Sequence, residues 1–476
     1  MHLPSPETAG LFHIVGIGGI GMSAIAEVMH TRGYRVQGSD LKEGPNLARL
    51  RDHGIECIIG HDPANADEAS YLVISSAVKP GNPELEAAHE RGIPIIRRAE
   101  MLAELMRPCT TVSITGTHGK TTTTCLVADL LFGGGLDPTV ITGGIINAWG
   151  TNARIGQGEW MVVEADESDG TFLKLPTQIG VITNVDPEHM DFWESEEVLY
   201  GAFEQFIESI PFYGTVVGCI DHPVVRSLMA AVGGAENGRR TLTYGVSRSA
   251  DFRLFNVRPD HATMTFDIRL GSGAAGGARE IKDLKLPALG HYNALNAVAA
   301  LAVATEAGID DDTIRATLAN FSGVKRRFTR VGDWQGVAIY DDYAHHPVEI
   351  AAVLRGANAA GSGRIVAVMQ PHRYSRLQAL FNEFSACFDD ADVVILTPVY
   401  SAGEAPIPGI DREELAAGLR RHGHPNVLMV DGAEALVGTV ASVAKDGDLV
   451  VGLGAGTITD WINALPAELA KHGGNS

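Results

Sequence analysis

Positive charge is the scarce charge in this chain. Its 37 Lys and Arg stand against 58 Asp and Glu, a formal net charge of −21 at pH 7. That balance argues against a nucleic-acid backbone as partner, and it obliges any anionic ligand to find a local basic pocket. Cysteine is scarcer: Cys57, Cys109, Cys125, Cys219 and Cys387 lie far apart, without CxxC or zinc spacing. Disulfides and structural zinc are therefore not expected, and a reducing compartment is. No apolar run approaches the ~20 residues that span a bilayer, so no membrane partner is expected. The first eleven residues lack the basic-then-apolar order of an export signal, and the reading is a cytoplasmic protein. The remainder is globular in composition, 45% hydrophobic over 476 residues, which is long enough for two or three domains.

The stretch Ser113–Thr124, S-I-T-G-T-H-G-K-T-T-T-T, organises the rest. A β-branched strand, Thr111–Ile114, precedes it and an apolar-periodic helix, Thr121–Leu131, follows. Strand, glycine loop, Lys, hydroxyl and helix form a cradle for a nucleotide triphosphate. Gly116, Thr117, His118, Gly119, Lys120, Thr121 and Thr122 would line it, with Lys120 on the phosphates and Thr121 on Mg²⁺. One departure stands out. The usual loop has its first Gly six residues before the Lys, and that position is Ile114 here. A plain glycine-rich turn is the competing reading.

Upstream, strand Phe12–Ile17 enters G-I-G-G-I-G (Gly16, Gly18, Gly19, Gly21). Helix Met22–His30 and strand Arg35–Gly38 follow, ending at Ser39 and Asp40. This is a dinucleotide fingerprint in its proper context. It admits NAD, or another diphosphate nucleotide whose ribose or base meets Asp40. Strand Tyr71–Ile74 ends in Ser75 and Ser76, which suit either a ligand or a strand-ending turn. Strand Pro94–Ile96, helix Ala99–Met106 and a linker at Arg107-Pro108 close the segment.

Downstream, strand Trp160–Val163 ends in E-A-D-E-S-D, with Glu164 first off the strand and placed to hold Mg²⁺, a solvated turn being the other reading for part of this run. Strand Gln178–Thr183 leads to D-P-E-H-M-D, where His189 is a second-metal ligand or a packed, capping His. Residues Leu242–Arg269 alternate apolar and polar, which predicts antiparallel strands, with a Gly/Ala-rich turn at Gly271–Ala278 joining two. A helix opens at G-H-Y-N-A-L-N and runs to about Glu306. Its Asn293 and Asn296, three apart, share a face that would suit a base edge, although capping explains one of them.

Beyond Gly323 comes Lys325-Arg326-Arg327, a basic cluster that reads either as a solvated loop or as a hinge where an arginine could close on a phosphate. Strand Val337–Tyr340 ends in D-D-Y-A-H-H-P, and helix Val348–Leu354 follows. Strand Ile365–Met369 ends in Q-P-H-R-Y-S-R. Strands Val393–Leu396, Val427–Val430 and Leu449–Leu453 complete a doubly wound α/β unit. The Asp-His-His cluster reads as a metal site or as none; Arg373 and Arg376 suit a carboxylate or phosphate.

Together HIVGIGGIGMSAIAEVM, TGTHGKTTT, EADESD, DPEHMD, GHYNALNA, DDYAHHP and QPHRYSR resemble the Mur ligase family over nearly the whole chain. The shortened phosphate loop is that family's own form. The resemblance implies an α/β chain of three domains. These are a Rossmann-like UDP-substrate domain (1–108), a P-loop ATPase-like central domain with extra antiparallel strands (109–323), and a Rossmann-like C-terminal domain (324–476) that receives the amino acid and closes. It implies ATP-dependent joining of L-alanine to the lactyl carboxylate of UDP-N-acetylmuramate through an acyl-phosphate, in peptidoglycan precursor synthesis. A murein tripeptide ligase of the same fold is the alternative, and an NAD-dependent oxidoreductase the remote one.

By motif, Lys120, His189 and Arg327 would be catalytic. Thr121 and Glu164 would hold one Mg²⁺ and His189 a second, with Mn²⁺ as a substitute. Asn293 and Asn296 would face adenine, Asp342 the ribose and Arg327 the γ-phosphate. Gly16, Gly18, Gly19, Gly21, Ser39, Asp40, Ser75 and Ser76 would meet the UDP-substrate. Tyr343, His345, His372, Arg373 and Arg376 would surround the reacting carboxylate and the incoming amino acid. Several relatives carry a carbamylated lysine after the HMD motif. Here no lysine lies between Lys174 and Lys282, and Glu204, on helix Val198–Ile210, is the expected substitute. A monomer or weak homodimer is expected.

Overall fold

Runs of Val, Ile and Thr become strands buried on both faces, as parallel sheets covered by helices require. Leu11–Val15 and Ile365–Met369 are buried at every position. A computed structural model describes residues 3–75, 77–147, 149–232, 239–260, 263–361 and 363–473. By contacts the chain forms two compact units. One comprises Met1–Phe255, Ile268–Ile281 and Asn296–Leu318; the other comprises Asn256–Asp267, Lys282–Leu295 and Ala319–Ser476.

The first sheet has five parallel strands in the order Glu56–Ile59, Arg35–Asp40, Leu11–Val15, Tyr71–Ile74, Ile95–Arg97. Leu11–Val15 is flanked on both sides by later strands, so the loop after it opens at a topological switch point, where such sheets bind ligands. Helix Ile20–Thr31 starts there and buries Met22, Ile25, Val28 and Met29.

The second sheet has ten strands. Its middle runs Arg240–Gly245, Thr215–Cys219, Ile179–Ile182, Thr110–Thr115, Trp160–Glu164, Thr139–Ile146, and the neighbours in this run pair in parallel. The sheet carries extra antiparallel strands, as Thr139–Ile146 with Thr151–Arg154 shows, but the antiparallel expectation fails for one pair. Arg240–Gly245 pairs in parallel with Phe252–Asp260 as well as with Thr215–Cys219, not antiparallel. Alternation reports a half-buried face and carries no information on strand direction. Thr263–Leu270 and Arg279–Leu286, which flank the Gly/Ala-rich turn, are neighbours in this sheet. Helix Lys120–Gly133 is buried from Thr121 to Ala128 without a break, as befits a helix with apolar and small residues on every face.

The acidic turn after Trp160–Glu164 rests on an aromatic cluster. The Phe172 ring lies 5.2 Å from Phe203, 5.5 Å from Phe206 and 6.3 Å from Trp193. Burying each such ring contributes about 1.5–3 kcal/mol, which fixes the turn's base.

The second unit contains a six-stranded sheet ordered Thr329–Trp334, Val337–Asp342, Leu449–Leu453, Ile365–Met369, Val393–Leu396, Val427–Met429. Its first pair is antiparallel and the others are parallel. Leu453 pairs with both Asp342 and Met369. The two loops rich in His, Tyr and Arg therefore leave the sheet at one level, on either side of Gly454.

Candidate active site

The phosphate loop spans the end of Thr110–Thr115 and the start of Lys120–Gly133. Gly116 has φ +124° and Gly119 φ +83°, a region L side chains avoid. A Cβ at Gly116 would overlap the Thr183 hydroxyl and lie 2.8 Å from the Asn184 carbonyl oxygen; one at Gly119 would lie 2.7 Å from Asn296 Oδ1. The adjacent strand rivets the loop. Thr117 N donates to Asn184 O at 3.1 Å, His118 N to Asn184 Oδ1 at 2.8 Å, and Asn184 Nδ2 to His118 O at 2.9 Å. Thr183 Oγ1 donates to His118 O at 2.7 Å, and Asp186 N to Thr117 Oγ1 at 2.8 Å. The amides of Lys120, Thr121 and Thr122 open the helix, where no intrahelical acceptor exists, and they present positive ends to an anion.

Lys120 does not stand free. Its Nζ lies 2.7 and 3.0 Å from the two oxygens of Glu167, 2.7 Å from Gly116 O and 3.2 Å from Thr117 O. Burial alone would lower the ammonium's pKa, but Glu167, Asp166 and Glu164 outweigh it and hold it above the usual lysine range. Glu167 is 1% exposed; burial pushes its carboxyl up to about 7 against the pull of Lys120. Sequence reading passed over Glu167 inside the acidic run, although its spacing from Glu164 was the available signal.

Thr121 and Glu164 meet as expected. Thr121 Oγ1 donates to Glu164 Oε1 at 3.1 Å, while Glu164 Oε2 accepts from Thr142 Oγ1 at 2.8 Å and Gly143 N at 2.7 Å. His189, with φ 57°, places Nε2 4.0 Å from Glu167 and 3.8 Å from Glu188. Ligand atoms of Glu167, Glu188 and His189 lie within 4.8 Å of one another. A hydroxyl beside a carboxylate, with further carboxylates nearby, is an oxygen donor set that fits Mg²⁺. Glu204 is exposed on helix Glu196–Ser209 and does not belong to this grouping.

At the first sheet, Gly16 has φ +74°. Gly18 N donates to Asp40 Oδ2 at 2.9 Å, and Asn46 Nδ2 donates to Gly18 O at 2.8 Å, so Asp40 is tied to the fingerprint loop. Gly19 N-caps the helix. A Cβ at Gly21 would lie 2.9 Å from Arg98 Nη1; Arg98 brings a cation to this loop, unread in the sequence. Ser39 is corrected. It is fully buried and donates to Glu84 Oε2 at 2.6 Å, beside His61 Nδ1 at 3.1 Å and Asn65 Nδ2 at 2.5 Å. Its hydroxyl serves this buried network, not the loop. Ser75 is half-buried, its carbonyl accepting from Val78 N at 3.2 Å, and Ser76 lies outside the described residues.

Within the second unit, Tyr343, His345, His372 and Arg376 gather. Ring centroids are 5.1 Å apart for Tyr343–His345 and 5.7 Å for His345–His372, and Arg376 Nη1 lies 3.3 Å from His372 Nδ1. Burial, then the charges of His345, Arg376 and Arg373, push His372 down to about 4. Arg326 and Arg327 lie over the Tyr343 ring at 4.7 and 5.2 Å. Asp342 is buried, and its oxygens accept from Phe328 N and Ala344 N, both at 2.7 Å; burial lifts it to about 6. Here it orders its own loop. The metal reading of the Asp-His-His cluster fails among the described residues: His346 instead N-caps helix Pro347–Ala359 through Nδ1, 3.3 Å from Val348 N. Asn296 abuts the phosphate loop, whereas buried Asn293 donates to Leu289 O at 2.6 Å.

Three family descriptions match successive stretches: Mur ligase family, catalytic domain, over residues 11–109; Mur ligase middle domain over 114–304; and Mur ligase, glutamate ligase domain, over 326–456. A UDP-N-acetylmuramate–L-alanine ligase of Rhodopseudomonas palustris is 58% identical over 468 residues, covering 98% of this chain and 99% of that one. The crystal structure of a UDP-N-acetylmuramate–alanine ligase from Thermotoga maritima superposes with a TM-score of 0.79 at 27% identity, over 98% of this chain and all of that one. A murein peptide ligase from Psychrobacter arcticus shares the fold, with a TM-score of 0.67 at 21% identity over 97% of this chain and 98% of its own.

Proposed function

The chain belongs to the Mur ligase family, and on that premise we propose that it joins L-alanine to UDP-N-acetylmuramate at the expense of ATP. Near full-length likeness to ligases of that name supports the substrates. The phosphate loop supports the chemistry, and the observation that carries it is Lys120 set among the opening amides of its helix beside the Thr121–Glu164 pair.

An amide forms in water only after a carboxylate oxygen is made a leaving group. The lactyl carboxylate attacks the γ-phosphorus of ATP, the bond to ADP breaks, and an acyl-phosphate results. The amine of L-alanine then adds to the acyl carbon, loses a proton, and phosphate departs. The difficulty is electrostatic, since two anions must meet in a chain of net charge −21. Lys120, the helix-start amides and Arg327 supply positive charge where phosphate charge develops. Mg²⁺, held by Thr121 and Glu164 and by His189 with Glu167 and Glu188, would neutralise phosphate oxygens when bound. Gly16–Gly21, Asp40 and Arg98 form the UDP-sugar site, and Tyr343, His345, His372, Arg373 and Arg376 the amino-acid site. The domain limits we assign are 1–108, 109–323 and 324–476. The setting is cytoplasmic, with a monomer or weak homodimer; no described helix is long and apolar enough to cross a membrane.

The test is ADP release with ATP, Mg²⁺ and UDP-N-acetylmuramate, comparing L-alanine with L-Ala-γ-D-Glu-meso-diaminopimelate as acceptor. Turnover with L-alanine is expected. Preference for the tripeptide would reassign the chain to murein recycling.

A further inference from the structure

We infer that Glu404 is a positioning residue for the amino-acid site, holding Arg373 beside His372 in the pose that takes the carboxylate of the incoming amino acid. The inference rests on the ligase reading above and extends it to a residue outside the sequence motifs.

The segment 371–376 leaves strand Ile365–Met369 at its carboxyl end and enters helix Tyr374–Ala379, on the side where open α/β sheets receive ligands. Within it Arg373 adopts φ 69° and ψ 134°. A non-glycine residue holds such a backbone only where its surroundings over-determine it, and such residues cluster at binding sites.

The segment 400–404 supplies that constraint from both flanks. Arg373 N donates to Tyr400 O at 2.8 Å, and Tyr400 N donates to Pro371 O at 2.8 Å, which forms a short parallel bridge between His372 and Tyr400. The Tyr400 ring stacks on the His372 ring at 5.4 Å and 18°. Four residues on, the Glu404 carboxylate closes the other flank. Its Oε1 accepts from Ser375 Oγ at 2.7 Å, its Oε2 from Ser375 N at 3.0 Å, and Arg373 Nε lies 3.5 Å from Oε1. One carboxylate therefore fixes the residue two positions beyond the strained one and engages the Nε side of its guanidinium.

That engagement has a chemical consequence. With Nε the guanidinium nitrogen nearest Glu404, the two terminal nitrogens of Arg373 are left to form the fork that grips a carboxylate bidentately. Arg373 is 42% exposed along its side chain, so without Glu404 its long chain would sample many rotamers, and the clamp would have to be assembled at each binding event. Gripping the carboxylate of L-alanine sets the direction of its amine.

The test is steady-state kinetics of the full chain, varying each of the three substrates in turn, for the parent, Glu404→Ala and Glu404→Gln. Glu404→Ala is expected to raise the KM for L-alanine about tenfold, with KM for ATP and UDP-N-acetylmuramate within about twofold of the parent. Glu404→Gln, which keeps an oxygen for Ser375 but loses the charge opposite Arg373, is expected to fall between the two. An L-alanine KM unmoved in Glu404→Ala overturns the proposal. So does a common rise in all three KM values with a lowered melting temperature, which would mark a structural role. A parent that does not release ADP with L-alanine sinks the ligase reading and this inference together; an active parent with unresponsive variants sinks this inference alone.

Discussion

Lys120 is a half-buried charge and Glu84 a buried one, and each is stabilised by a different kind of partner. Lys120 sits against a carboxylate and two carbonyls, so its loss removes the loop's cation. Lys120→Ala is expected to lower kcat by about 10²–10³-fold, as for other preorganised electrostatic donors, read from ADP release at saturating substrates. Glu84 is wholly buried. Burial works against its charge, but His13, whose Nε2 lies 3.5 Å away, and hydrogen bonds from Ser39 and Asn65 hold its carboxyl down to about 2, below its ordinary value near 4.5. The folded state thus favours the ionised form. The stabilisation is complete above about pH 4.5 and is lost as pH falls toward 2, amounting to roughly 3 kcal/mol. Chemical denaturation across that range should show the loss in the parent and a flatter profile in Glu84→Gln. Among single residues, those whose chemistry is local were legible in the sequence: Lys120, Thr121 and Glu164 stand where strand ends and glycine spacing put them. Ser39 was misread because adjacency to Asp40 says nothing of which face a strand residue takes, and its partner Glu84 is 45 positions away.

At the scale of elements, the two loop glycines are the sharpest constraint. Gly116→Ala would combine a left-handed backbone with a Cβ 2.8 Å from a carbonyl oxygen. The expected result is a loss of about 1–3 kcal/mol of stability and a weakened ATP affinity by calorimetry, because the loop must leave residues 183–186 to relieve the overlap. An ATP affinity equal to the parent's would remove the loop from the phosphate site. Many strands were readable because each apolar run is short and bounded, but Glu56–Ile59, Thr139–Ile146, Thr215–Cys219 and Thr329–Trp334 were not, and neither was the order of strands within a sheet. Pairing direction was not, as Arg240–Gly245 demonstrates. Nor was the rivet at residues 183–186, which depends on two strands lying side by side in register.

For the molecule as a whole, ligands that bind the folded chain and not the unfolded one raise its stability by mass action. At a hundredfold excess over Kd, the gain is about 2.7 kcal/mol. Thermal melts should therefore shift upward with ATP–Mg²⁺ and with UDP-N-acetylmuramate, and stay unmoved with NADH. A shift with NADH would revive the dehydrogenase reading of the glycine fingerprint. The family and its three α/β sheets were legible because the motifs span nearly the whole length. The division into two compact units was not, since it reflects contacts summed over the chain and no single motif records it.

The grip of Glu167 on Lys120 makes the phosphate loop a competitive lock. An anion reaching the loop must outbid a carboxylate already bound through both its oxygens. On the reading proposed above, orthophosphate alone would offer few contacts in exchange, whereas a triphosphate with its cation would offer more oxygens to the helix-opening amides and a cation to the Glu167, Glu188 and His189 group. A loop held in this way would favour the longer phosphate chain before any chemistry begins.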